Sequence, residues 1–132
     1  MSLETLKKGG NLMETSILKS IKKLLGIPAD VTQFDADLMT HINSVFATLT
    51  QLGVGPPNGF IIDDDLDAWN QFITDFSKWS FIKSYVYLKV KLLFDPPINA
   101  SVIESINRQI SELEWRIYME ANNYNNSVEK ED

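Results

Sequence analysis

Phe81-Ile82-Lys83-Ser84-Tyr85-Val86-Tyr87-Leu88-Lys89-Val90-Lys91-Leu92-Leu93-Phe94 is the stretch whose conformation decides the fold. Tyr85, Tyr87, Lys89 and Lys91 alternate with Val86, Leu88, Val90 and Leu92, the period of two that marks a half-buried strand. Other features oppose a strand. The run contains neither Gly nor Pro, Ser80 is placed to cap a helix, and the stretch is long for a strand. The long segments on either side read as helices, so an isolated strand has no obvious partner. The stretch is therefore expected to be a buried helix, ended sharply by Asp95-Pro96-Pro97.

Downstream, Asn99 or Ser101 opens a long helix expected to reach about residue 121. Ile103, Ile106, Ile110, Leu113 and Ile117 form its three-four stripe, and Glu104 with Arg108 and Glu112 with Arg116 are four-residue ion pairs in the favourable order. Residues 122–132 (NNYNNSVEKED) are polar and Asn-rich, and are expected to be a mobile tail.

Upstream, Thr15 or Ser16 caps a first helix over about 16–25. Ile17, Leu18, Ile21, Leu24 and Leu25 lie on one side, Lys19, Lys22 and Lys23 on the other, and Gly26 with Pro28 stops it. A second helix spans about 34–52, with Phe34, Leu38, Ile42, Val45, Phe46 and Leu49 at three- and four-residue spacing. The segment Gly53-Val54-Gly55-Pro56-Pro57-Asn58-Gly59 cannot be regular structure. Beyond it, residues 60–62 suggest a minor extended segment, and residues 66–73 a short helical turn with Trp69, Phe72 and Ile73 inward. Phe76 and Trp79 continue the apolar content of this connection. The expected fold class is all-α: four main helices plus a short turn, in one domain over 16–121.

Residues 1–15 are expected to be a flexible or non-native extension. Lys7-Lys8-Gly9-Gly10 can be encoded by a purine-rich stretch containing GGAGG, and Asn11-Leu12 then space it from Met13, as in a translated ribosome-binding site. A plain Gly-Gly linker is the other reading, and the nucleotide sequence separates the two.

With 132 residues, the chain suits a single core. A hydrophobic share of 44% argues against wholesale disorder. The absence of cysteine removes disulfides, thiolate nucleophiles and cysteine-rich zinc sites, and suits a reducing cytoplasm. No apolar run approaches the roughly 20 residues of a membrane span, and residues 1–12 carry no h-region of a signal peptide. The net charge of −6 disfavours duplex DNA as a main ligand, because gripping phosphates takes an excess of Lys and Arg.

Candidate chemistry is sparse. His41, the sole histidine, lies beside the apolar stripe of the second helix near Leu38 and Val45, and metal work would need several further ligands, which favours a structural role. Asp63, Asp65 and Asp67 imitate the first ligands of a calcium loop. The imitation then fails, since Ala68 replaces the required Gly and Thr74 the bidentate Glu. Together with Asp64 they are read as a solvated or helix-capping cluster. Gly53, Gly55 and Gly59 follow a helix, not a strand, and neighbouring prolines withdraw the N–H groups a phosphate needs. No metal or cofactor is expected, and no catalytic residue is assigned.

The surplus lies in large apolar groups. Trp69, Trp79 and Trp115 join four tyrosines and seven phenylalanines, and Trp115, Tyr118 and Met119 fall off the Ile/Leu stripe of the last helix. A helix with two apolar faces must bury both, against another chain or against residues 60–80 of its own.

Several segments, in order, resemble the head–tail connector family of tailed bacteriophages. They are Ser20-Ile21-Lys22-Lys23-Leu24-Leu25-Gly26-Ile27, Phe34-Asp35-Ala36-Asp37, Ile42-Asn43-Ser44-Val45-Phe46, Gln51-Leu52-Gly53-Val54-Gly55-Pro56, and Gly59-Phe60 with Trp69 and Phe72. Residues 85–97 and Ile110-Ser111-Glu112-Leu113-Glu114-Trp115-Arg116 complete the likeness, which covers about residues 16–116. The resemblance implies a helical, non-enzymatic virion subunit, made in the bacterial host cytoplasm, and favours helix for 81–94. It implies a ring of about twelve copies under the portal at the virion neck. There the ring would extend the DNA channel, without sequence-specific binding, and dock a stopper or tail-completion protein. A ring needs two different sticky faces, which Trp115, Tyr118 and Met119 could help supply against a sister subunit or the portal. Asp63, Asp64, Asp65 and Asp67 are candidates for a channel-facing wall that repels passing DNA.

Two alternatives remain at this level. One is a small helical DNA-binding or packaging-associated phage protein, using Lys19, Lys22 and Lys23 with Lys83, Lys89 and Lys91. The other is an enzyme or ligand-binding domain, which would need a cleft gathering His41 and the acidic run.

Overall fold

The computed structural model describes residues 15–75, 77 and 80–130, with side chains through 123. The proposed extension over 1–14, together with Phe76 and Trp79, lies outside the described residues. These form five helices and no strand: α1 (Ile17–Leu25), α2 (Asp35–Gln51), α3 (Trp69–Phe72), α4 (Ser80–Phe94) and α5 (Ala100–Lys130).

The ambiguous stretch is α4, the central helix, packed on α1, α2 and α5. Ile82, Tyr85, Val86 and Val90 are fully buried at helical spacing, and Phe81, Tyr87, Leu88, Leu92 and Phe94 are partly covered around them. A helix enclosed from several directions has little polar face with which to write a 3.6-residue pattern. Its apparent alternation is therefore a by-product of burial. The Phe34 ring sits 5.5 Å from that of Phe94, so the start of α2 lies beside the end of α4 and the two run antiparallel. Short links over 26–34 and 95–99 send α1 and α4 one way, α2 and α5 the other.

Helix α1 begins and ends as its sequence dictates. Ser16 Oγ accepts the Lys19 N–H at 3.2 Å, and Gly26 closes the helix in the left-handed conformation (φ 78°). The Gly26 and Ile27 N–H groups then reach back to the carbonyls of Lys23 and Lys22.

Lys22 departs from expectation: it does not share the outer face with Lys19 and Lys23 but is buried at 2% exposure. Its ammonium meets three oxygens, at 2.6 Å from Val31 O, 3.3 Å from Ala29 O and 2.9 Å from Asp35 Oδ1. The Asp35 contact is ionic and off the line of a hydrogen bond. Two carbonyl acceptors and one carboxylate thus surround the buried ammonium, and the same contacts fold the 26–34 link onto α1.

Between α2 and α4 the chain is held by side chains, not by a strand partner. Residues 60–62 are irregular, and the Asn43 amide grips the backbone of Ile62 from both sides, donating to its carbonyl (2.9 Å) and accepting its N–H (2.8 Å). Phe46 is the hub of an aromatic cluster with Phe60, Phe72 and Trp69, at centroid separations of 5.2, 4.6 and 6.1 Å. Gly55 (φ 84°) passes so close to Phe72 that any Cβ would enter the ring. The turn expected over 66–73 narrows to α3, with Trp69, Phe72 and Ile73 inward as expected. Trp69 Nε1 donates to Ser20 Oγ at 2.9 Å, tying α3 to α1.

Asn99 opens α5, its side chain accepting from the Ser101 N–H (2.9 Å) and hydroxyl (2.7 Å). Ile106, Ile110 and Ile117 are buried as expected, and Ala121 extends the stripe. The helix does not stop near 121 but runs to Lys130, because the sequence there offers neither Gly nor Pro to end it. Residues 131–132 lie outside the described residues.

Candidate assembly surfaces

Trp115 projects from the side of α5 opposite its core stripe and is 63% exposed, while its neighbours Tyr118 and Met119 are 52% and 39% exposed. The described residues of 60–80 thus leave this face open, against the alternative that the sequence left standing. Glu112 and Arg116 close on each other at 2.7 Å beside it, so this apolar patch is flanked by cancelled charge. The parallel pair of Glu104 with Arg108 does not form.

On the core side, Tyr85 Oη donates to Glu114 Oε1 at 3.0 Å and locks α4 to α5. Burial, reinforced by that carboxylate, pushes the Tyr85 phenol well above its ordinary range. Sequence reading missed this contact. Its only signal was a tyrosine among apolar residues on one helix and an acidic residue at the edge of the stripe on the next.

The acidic loop splits in two. Asp63, Asp64 and Asp67 converge, with carboxylate oxygens within 4.8 Å of one another. Asp67 Oδ2 accepts the N–H groups of Asp63 (2.9 Å) and Asp64 (3.4 Å), and Asp64 Oδ1 that of Leu66 (2.8 Å). The carboxylates thus close the loop on itself. The Asp63 carboxyl is raised above its ordinary value, first by its hydrogen bond with Asp67 and then by the charges of Asp67 and Asp64. Asp65 leaves the group: its carbonyl accepts from Ser16 Oγ (2.7 Å) and its carboxylate lies 3.6 Å from Lys19 Nζ. The triplet that imitated a calcium loop (63, 65, 67) therefore does not assemble, and the acidic quartet is a trio plus one structural residue.

The basic face proposed for DNA fares no better. Lys22 is buried, Lys19 faces Asp65, and Lys91 lies 3.5 Å from Asp95. His41 is half-buried on α2 and stands outside the acidic trio. Gly53, Gly55 and Gly59 all take positive φ in a turn that packs on Phe72 and Ala121.

One surface was not legible in sequence. Leu24, Phe34, Leu93, Ile98 and Val102 are 44, 36, 53, 102 and 44% exposed. They lie on different elements whose ends, by the topology above, gather at one end of the bundle. The acidic loop, tied to the start of α1, sits at the other.

Large apolar side chains held outward on a helical scaffold are the kind of surface that protein–protein contacts use. The sequence matches the family described as phage connector protein over residues 17–124, and the chain belongs to that family of structural phage proteins. No curated protein and no solved structure matches it.

Proposed function

We propose that this protein is a non-catalytic subunit of a connector ring at the neck of a tailed-phage virion, seated beneath the portal and offering a surface to a stopper or tail-completion protein. The observation that carries the reading is the outward aromatic face of α5, with Trp115 63% exposed in a chain of the connector family. A closed ring is the form a heterologous assembly around a channel takes, and the resemblance to head–tail connectors implies about twelve copies. In it, Trp115, Tyr118 and Met119 meet a sister subunit or the portal. Asp63, Asp64 and Asp67 face the conduit, where fixed negative charge keeps DNA from adhering. Residues 122–132 contact the portal or a neighbour, and their removal lowers particle assembly; unchanged assembly contradicts that part.

The direct test mixes the purified protein with portal rings from the same phage and follows co-migration by size-exclusion chromatography. Stable co-migration that Trp115→Ala weakens supports the proposal. No binding, together with normal tailed particles from a phage lacking the gene, overturns it. The DNA-binding alternative predicts instead a salt-dependent shift of duplex DNA on a gel.

A further inference from the structure

We infer that the outward face of α5 in one copy packs on the outward face of α2 in the next; this rests on the ring reading above and names the surfaces that make it. Directly opposite the core stripe of α2, Ala36, Thr40, Ser44, Ala47 and Gln51 recur every three or four residues, all exposed. Between Leu38 and Gln51 the helix carries no Asp, Glu, Lys or Arg, in a chain that is 23% charged overall. A helix face that meets only water has no reason to exclude charge for four turns. Its hydroxyls are already satisfied, Thr40 Oγ1 donating to Ala36 O (3.1 Å) and Ser44 Oγ to His41 O (2.7 Å). A partner can therefore cover Thr40 and Ser44 without stranding either hydroxyl.

Helix α5 offers the complementary shape. Its Trp115, Tyr118 and Met119 stand out as a bulky ridge, against the shallow surface that Ala36 and Ala47 leave on α2. Charge points the same way. Copies of a chain of net charge −6 repel, and approach most cheaply where charge is absent or cancelled. From Thr40 to Gln51 the α2 face has none, Asp37 standing exposed at its N-terminal edge, and beside Trp115 the charges of Glu112 and Arg116 neutralise each other. Position completes the argument: α2 and α5 each pack on α4 rather than along one another, so the faces look out from different sides of the molecule. Two unlike faces so placed repeat head to tail, which is what closure into a ring requires.

The chain has no cysteine, so introduced thiols are unique. Ala47→Cys and Ser111→Cys each fall at an exposed position of one face. The double variant, treated with a short bismaleimide at up to about 1 mM protein, is expected to give a ladder of successive oligomers on a denaturing gel. Each single variant gives none beyond dimer, and equal amounts of the two singles give the mixed dimer. Adding Trp115→Ala, or Ala36→Glu, lowers the yield of the ladder at least tenfold while the melting temperature stays unchanged. A ring seen by native mass spectrometry without the ladder overturns this pairing and leaves the ring standing. A chain that stays monomeric throughout also overturns the pairing, and the portal experiment then decides the ring reading separately.

Discussion

Helices α4 and α5 lie side by side, yet they treat their apolar side chains in opposite ways. Ile82, Tyr85, Val86 and Val90 of α4 are buried and most of its other residues partly covered, with α1, α2 and α5 packed around it. Helix α5 buries one stripe and holds a tryptophan, a tyrosine and a methionine outward. Both are rich in large apolar groups, so composition does not separate them. What differs is the number of neighbours inside the chain. Apolar residues without an internal neighbour are free to meet another chain, so the comparison puts the centre of the fold in α4 and the proposed assembly surface on α5.

The contrast is sharpest under substitution. Ile82→Ala on α4, at 0% exposure, should cost about 2–5 kcal/mol of stability, read from urea unfolding; a cost below about 1 would mean that α4 is not the packed centre. Lys22→Ala comes next. It strands Asp35 and two carbonyls, and because Asp35 keeps a 24% exposed side chain the cost should be about 2 kcal/mol, below that of a fully buried pair. A neutral outcome by the same measurement would show Lys22 to be solvated.

Tyr85→Phe removes the one side-chain hydrogen bond described between α4 and α5, at an expected cost of about 1 kcal/mol at neutral pH. Its pH dependence has a definite sign. The phenol is raised above its ordinary 10.0 in the folded state, so the native protein holds this proton more tightly than the unfolded chain does. Its contribution is complete below pH 10 and is lost as pH climbs above it. Thermal melts from pH 9 to 11 should show the wild type losing stability faster than the Phe variant; parallel curves would contradict the assignment. Trp115→Ala has the smallest effect on the fold, within about 0.5 kcal/mol. Its effect should appear instead in portal binding, and a large loss of stability would place Trp115 in the core.

The helices were legible in sequence wherever a stripe met solvent on its far side, as in α1, α2 and α5. The period of α4 was not, because periodicity records a difference between faces and α4 has little. Ser16, Gly26 and Asn99 announced their caps by residue type. The fate of Lys22 was hidden, since its three oxygens come from residues seven to thirteen positions away along a link of irregular structure. The exposed aromatics of α5 were visible as residues off the stripe, whereas the apolar end of the bundle was not. Its members are scattered from Leu24 to Val102, and only the topology brings their helix ends to one side.

The proposed function requires these bundles to build the neck of a virion through their outward helices. Reconstruction of tailed particles by electron cryomicroscopy tests it most directly. The account predicts a closed ring of five-helix bundles directly below the portal, with the Trp115 side of α5 inside a protein contact. A neck whose density is filled by other chains, or a ring in which Trp115 faces open solvent, would contradict it.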